Sequence, residues 1–427
     1  MLSRRAAQKS ASSLNKFKHL AQLQEKKMKF ITTTLGLLLT LSAVAKAPEK
    51  PSIDIAILLD TSGSMQGLID QTRSRIWKLI NKLDEVKHTG LPVDINVGLY
   101  QYGSSYVDAE ENYIKQVVAL STDHDLLAKE LFSLKAQGSV EYAGLALEKA
   151  VLDLEWGTAP AGLKTIFLAG NETLKQGSTD VASSLALAQS KNIFVNTIYA
   201  NNTGSFRPTR TLPRGHHLPG PHNGPGPHIP LPGLDPVQQE WEKAALLGGG
   251  SFSVIHQNKK IVVIKTPMDK KILELDKKVN KTFVPFGKEG SSYYKRMIDL
   301  DSNIGNSSTD DMINRGRYKA GGHYNIKNWD LVEAAKETTF KLEDLKDDDL
   351  PDQLKGKSVE EIELYLLQKE QLRNKLKQQI KNLYVEREAF IKKEMDRLET
   401  ENGVDPIDSA MFDSLAGKLK ESGFELN

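Results

Sequence analysis

The 427-residue chain contains no cysteine. Disulfides, thiolate catalysis and cysteine-ligated zinc are therefore excluded. It also lacks an excess of charge. Its 57 Lys and Arg stand against 55 Asp and Glu, a formal net charge of +2. That balance gives no electrostatic reason to expect a nucleic-acid partner. No G-x-S-x-G, H-E-x-x-H or P-loop motif occurs, and each of these would have carried a specific chemistry. His88, His124, His256 and His323 lie far apart with no nucleophile motif beside them. No set of acid, base and nucleophile is visible, so the expectation is a protein that is not an enzyme. Asp125, Glu130 and Glu141, taken singly, read as solvated helix or loop residues. Trp77, Trp156, Trp241 and Trp329 read as packing residues.

Long apolar runs are almost absent. The exception is Ile31 to Ala45, preceded by the basic Lys26-Lys27-Met28-Lys29 and followed by the small residues Ala43-Val44-Ala45-Lys46-Ala47. A basic start, a short apolar centre and an A-x-A exit read as a secretory signal peptide over 28–47. About 15 apolar residues are short for a bilayer span, which needs ~20; an uncleaved anchor is the alternative. Residues 1–27 read as a mis-assigned start ahead of Met28. The expected product is exported, periplasmic or secreted, with no membrane span after cleavage.

What the sequence does have is concentrated in Ile53-Asp-Ile-Ala-Ile-Leu-Leu-Asp60-Thr-Ser62-Gly-Ser64. A buried strand ends in a carboxylate, two hydroxyls follow at spacings of two, and a helical pattern begins at Gly67. Asp60, Ser62 and Ser64 thus occupy the loop at the C-terminal end of a strand, where open α/β sheets bind ligands. All three offer hard oxygen atoms, the ligand type Mg²⁺ accepts.

Strands and helices then alternate to about residue 256. Helices are expected over 67–86, 126–134, 142–154, 181–190 and 238–247. Strands are expected over 93–102, 113–120, 165–169, 193–200 and 251–256, with 113–120 as an edge. The pattern implies an α/β, doubly wound, mostly parallel sheet. The stretch 203–236 interrupts it with dense Pro and Gly and with His216, His217, His222 and His228. These four histidines are candidates for a second metal site; the other reading is a flexible polar insertion. Beyond 266 the chain reads as a mostly helical C-terminal region, 266–427. A helix is expected from Asp269 to Val279, irregular chain over 301–327, and an acidic linker over 344–352. A long charged helix follows over 358–398, opened by the capping box Ser358-Val-Glu-Glu361. Its apolar residues, Leu372 among them, suit a coiled coil, but irregular heptads favour packing within the chain. A last helix, 407–419, is expected to fold back on it.

The first strand, the D-x-S-x-S loop and the alternation that follows resemble the von Willebrand factor A (vWA) domain over about residues 52–257. The resemblance implies a metal-ion-dependent adhesion site (MIDAS). In it Ser62 and Ser64 ligate Mg²⁺ or another divalent cation, Asp60 acts largely through water, and a partner's acidic group completes the shell. The second loop, Gln137-Gly-Ser139-Val140-Glu141-Tyr-Ala-Gly144, is similar to a Gly-Gly-Asp-Glu-Tyr-Cys-Gly pattern of a bacterial subset, with Val140 in place of Asp. The third, Ala169-Gly170-Asn171-Glu172, has Gly170 in place of the usual acid. Ser139, Glu141, Asn171 and Glu172 are the weaker ligand candidates. Downstream, Trp241-Glu-Lys-Ala-Ala, Thr266-Pro-Met-Asp and Thr282-Phe-Val-Pro-Phe-Gly287 resemble exported members of that subset. Two functions follow as expectations. One is adhesion or protein–protein interaction through the cation, the partner being another protein or this chain's own C-terminal region. The other is a metal-free scaffold assembling through the C-terminal helices.

Overall fold

The computed structural model describes residues 51–201, 235–256, 263–402 and 407–426. The expected signal peptide and mis-assigned start lie outside the described residues. So do His216, His217, His222 and His228, and with them all but the last two residues of the expected insertion.

Six strands form the main sheet: β1 (Ser52–Asp60), β4 (Asp94–Tyr102), β5 (Ile114–Ser121), β6 (Leu163–Gly170), β7 (Ile193–Asn201) and β8 (Gly249–His256). The order is β5-β4-β1-β6-β7-β8. Every neighbouring pair is parallel except β4–β5, where the edge strand runs back. Strand order reverses about β1, which puts the end of β1 at a crevice between two sets of connecting loops. β1 is nearly all apolar because both of its faces are covered. Ile53, Ile55, Ile57 and Leu59 face one core, and Ala56 and Leu58 face the other. On the second face lie α3 (Ala143–Asp153), α4 (Val181–Ser190) and α5 (Pro236–Leu247).

The first face is covered differently. It holds α1 (Gln66–Leu83) and α2 (His124–Ser133), and also the C-terminal helices α6 (Asp269–Asn280), α7 (Gly290–Ser307) and α8 (Thr309–Ala320). Trp77 and Ile80 of α1, Ile272 of α6, Met297 of α7 and Ile313 of α8 belong to one continuous core with β1.

Of the irregular chain expected over 301–327, residues 301–307 are the end of α7 and 309–320 the whole of α8, while 321–327 is irregular as expected. The reason is electrostatic. Asp301, Asp310, Arg315, Arg317 and Lys319 are buried and paired rather than solvated. Ser308 caps α8 by accepting from the Asp311 N–H at 3.2 Å. Asp125 is likewise not a solvated residue: it is buried and pairs with Arg315 at 2.7 Å. Two histidines lock the same interface. His124 bonds the Tyr318 hydroxyl and the Ile95 carbonyl. His323 bonds Asp84 and the Val93 carbonyl.

After the short α9 (Leu331–Ala334), the stretch expected as an acidic linker forms three short 3₁₀ turns that bury Leu350 and Leu354. The long helix α10 (Val359–Asn402) opens on the expected capping box. The Ser358 N–H donates to Glu361 at 2.9 Å and the Glu361 N–H to Ser358 Oγ at 3.3 Å. It packs along α6, α8 and α9 of its own chain. Leu372, expected on its inner face, is 49% exposed, while Arg373 beside it is fully buried against Asp330 and Glu333. The last helix, α11 (Ile407–Glu421), rests on α1 and β8. Lys82 and Lys418 lie over the rings of Phe412 and Phe194 there. The chain then pairs β9 (Phe424–Glu425) with β2 (Lys87–His88), which also pairs β3 (Leu91–Pro92), in a small second sheet.

Candidate metal centre

Three chain crossings build the rim at the end of β1. Asp60 closes the strand, and its Oδ1 accepts the Ser62 N–H at 2.8 Å, turning the backbone immediately. The Thr61 N–H and hydroxyl both reach the Tyr102 carbonyl at the end of β4. The second loop crosses beneath: the Gln137 N–H donates to the Thr61 carbonyl at 2.9 Å, the Gly63 N–H to the Gly138 carbonyl at 2.9 Å, and the Ser105 N–H to the Gln137 carbonyl at 2.8 Å. Gly138 has φ +124°, and a Cβ there would stand 2.2 Å from the Gly103 carbonyl oxygen. Only glycine lets these backbones cross.

The crossings bury acid without base. Asp60 and Ser62 are each 1% exposed and Glu141 is 5% exposed. An added Cβ on Gly103 would sit 3.0 Å from Asp60 Oδ1, 3.1 Å from Glu141 Cγ and 3.4 Å from Ser62 Cβ, so these groups surround one small space. Burial, then the Glu141 charge, pushes the Asp60 carboxyl up to about 8. Burial also raises Glu141, and the exposed Glu172 adds to both shifts. Among the described residues no basic side chain is a leading contributor to either shift.

Asp60 Oδ2, Ser62 Oγ and Asn171 Oδ1 are buried and accept or donate no hydrogen bond among the described residues. The Ser62 hydroxyl is near enough to both carboxyls to lower them somewhat, but at the geometry of a hydrogen bond to neither. Buried polar atoms are nearly always paired, and each exception needs a reason. Hard oxygens left unpartnered around a concentration of negative charge fit a divalent cation. Among the described residues no three His, Asp or Glu are grouped to hold a metal by themselves. A cation here depends on the hydroxyls.

The structure thus brings Asp60, Ser62 and Glu141 together, with Asn171 beside Ser64. Ser64 is exposed and takes a 3.3 Å hydrogen bond from the Asn171 amide. Glu172 turns its side chain to solvent, and its carbonyl accepts the Trp241 indole N–H at 2.9 Å. Ser139 is exposed and bonds to none of the others. Glu141 is buried rather than solvated, and it is held by Gln176, which accepts its N–H at 3.1 Å and donates to Oε2 at 3.4 Å.

Sequence reading did not single out Gln176, Glu240 or Tyr102. Glu240 pins the third loop through the Thr173 hydroxyl, the Leu174 N–H and Lys175. Tyr102 donates to the Ala169 carbonyl at 2.9 Å. Its hydroxyl explains Gly170: a Cβ there would lie 2.5 Å from the Tyr102 hydroxyl and 3.1 Å from Asp60 Oδ2. Gly170→Ala is therefore expected to cost about 1–3 kcal/mol. Most of that should return in a Gly170→Ala/Tyr102→Phe double variant, as read by urea unfolding. An unchanged midpoint in the single variant would contradict the clash.

Residues 54–207 match the family model of the von Willebrand factor type A domain. The fold is that of a vWA domain. A helical C-terminal region packs on one face of its sheet. No match was found among curated proteins. Solved vWA-type structures align at low identity. BatB from Bacteroides thetaiotaomicron aligns at 15% identity over 48% of this chain and 91% of its own, with a TM-score of 0.32. Proximal thread matrix protein 1 of the mussel byssus, with a zinc-occupied MIDAS motif, aligns at 15% over 36% and 39%, TM-score 0.28. The pilus adhesin SpaC from Lactobacillus rhamnosus GG aligns at 16% over 36% and 25%, TM-score 0.29. The chain thus spans 39% of the byssus protein and a quarter of the adhesin. At such identities and TM-scores, neither ligand nor partner passes from these proteins to this one.

Proposed function

We propose that this protein is an exported interaction module whose vWA domain holds a divalent cation, Mg²⁺ or one like it, at the rim beside β1. One observation carries the reading: Asp60 Oδ2 and Ser62 Oγ are buried there without a partner among the described residues. Asp60, Ser62, Ser64, Asn171 and Glu141 would hold the ion, which would supply the positive charge that the site lacks. Export rests on the basic and apolar stretch 28–47. Among the described residues no helix is long and apolar enough to cross a membrane.

The partner would meet the open side of the rim, where Ser64 and Glu172 are exposed. The expected alternative of the chain's own C-terminal region has no support among the described contacts. Its hydrogen bonds to the vWA domain reach Asn81, Asp84, Gly90, Val93, Thr122, Asp123, His124 and Asp125, and among the described residues none reaches the rim loops. A metal-free scaffold draws its support from Leu364, Leu367 and Leu372, which lie exposed on α10.

Ser62→Ala tests the first reading. It removes a hydroxyl that makes no hydrogen bond, so chelator-treated protein should keep its stability. Mg²⁺ affinity by isothermal titration should fall about tenfold or more. Unchanged affinity would refute the site, and self-association that persists in EDTA would favour the scaffold.

A further inference from the structure

We propose that Glu141 supplies, from within this chain, the carboxylate that compensates the rim cation, so that the ion ties the loops together instead of capturing an acidic group from a partner. This rests on the cation reading and narrows it. The place in the second loop where a ligand is expected holds Val140, which has no donor atom. The next residue is the one that turns inward. Glu141 is 5% exposed, and Gly103, having no side chain, leaves its Cγ and Asp60 Oδ1 around a common space. Glu141 is also the charge that acts most strongly on Asp60, ahead of Glu172.

The carboxylate is placed rather than loose. Gln176 grips it at the backbone N–H and at Oε2, and Glu240 anchors the loop that carries Gln176. Asp60 Oδ2 and Ser62 Oγ, both unpartnered and on residues 1% exposed, complete an oxygen set that spans the first and second loops. Asp60 and Glu141 carry two negative charges against the two positive charges of the ion. A neutral centre keeps no net Coulomb attraction for an outside carboxylate. A vWA site built only of hydroxyls and a distant acid would keep it. The surface this protein offers a partner would then be the loops the ion holds in shape, not the ion.

The test is Mn²⁺ titration of the full chain, with acetate as the outside carboxylate and water-proton relaxation as a second readout. Wild type should bind Mn²⁺ with an affinity that acetate leaves unchanged. Glu141→Gln should bind about tenfold or more weakly, show higher relaxivity from added bound water, and regain affinity when acetate is supplied. Should Glu141→Gln fail to fold, Glu141→Asp, one methylene short of the site, should give the same acetate response. The inference is overturned if Glu141→Gln matches wild type while Ser62→Ala loses Mn²⁺, or if acetate tightens the wild type; the cation reading survives either result. If wild type takes up no Mn²⁺ at millimolar concentration, the reading and the inference fall together.

Discussion

Arg315→Ala should destabilise the protein by about 3–5 kcal/mol, the usual cost of breaking a buried ion pair from one side. Arg315 is fully buried, lies over the Trp77 ring, and reaches Asp125 of α2 at 2.7 Å and Asp301 of α7 at 2.5 Å. Removing it leaves two buried carboxylates. Asp125 retains the Tyr324 hydroxyl at 3.0 Å, and Asp301 retains Lys319 and Asn280, so neither is wholly abandoned.

The sign of the pH effect follows from Asp301. With its cations in place it is held down to about 2, the Lys319 and Arg315 charges outweighing burial. A folded pKa below the unfolded value contributes stability that is present above the unfolded pKa and lost as pH falls. Without Arg315 that depression shrinks. The variant should therefore differ most from wild type near pH 7 and progressively less below about pH 4. Urea midpoints at about pH 7 and about pH 2 would measure both effects. A difference under about 1 kcal/mol at pH 7 would mean that the buried pair contributes no more than a surface one.

Asp60→Asn should do the opposite in chelator-treated protein: it should stabilise the fold while abolishing cation binding. The folded-state Asp60 carboxyl is pushed up to about 8 by burial and by Glu141. A folded pKa above the unfolded one means that the folded state holds the proton more tightly. That contribution is complete below the unfolded value, near 3.9, and is lost as pH rises through about 8. Wild type stripped of cations should thus lose stability from about pH 4 to pH 8, with an upper bound on the order of 5 kcal/mol from this group. Asn has no such slope.

Asp311, raised to about 7 by burial and by Asp310, tilts the curve in the same direction in both proteins, so the difference between them reads Asp60 and its coupling to Glu141. Saturating Mg²⁺ should restore wild type, by about 2.7 kcal/mol at a hundredfold excess over Kd, and should leave Asp60→Asn unmoved. Thermal or urea unfolding with EDTA and with Mg²⁺ reads all of this. A variant less stable than wild type at pH 8 in EDTA would show that the Asp60 charge is already compensated by the protein.

Local pattern accounts for most of what was legible beforehand. The apolar run into Asp60 could only be a strand covered on both faces. The hydroxyls after it read as a loop, and the helices expected over 181–190 and 358–398 follow from apolar spacing and, for the second, from the capping box at Ser358. Where side chains contradict their usual environment, pattern fails. α7 and α8 carry Asp, Asn, Ser and Gly because their polar residues are buried in pairs, and no periodicity announces a salt bridge whose partner lies 190 residues away. Leu372 reads as core but is exposed, and Arg373 beside it is buried because Asp330 lies opposite it.

The sequence by itself determined the sheet, its rim, and the presence there of Asp60, Ser62 and Ser64, since strand hydrophobicity and loop chemistry are local properties. Only the tertiary structure decided which further oxygens join them. It turned Glu141 inward over Gly103, sent Ser139 to solvent, filled the space beside Gly170 with the Tyr102 hydroxyl, and drew the C-terminal helices onto the sheet through buried charge. Each of these depends on the distance between residues remote in the chain, which folding sets and sequence spacing does not.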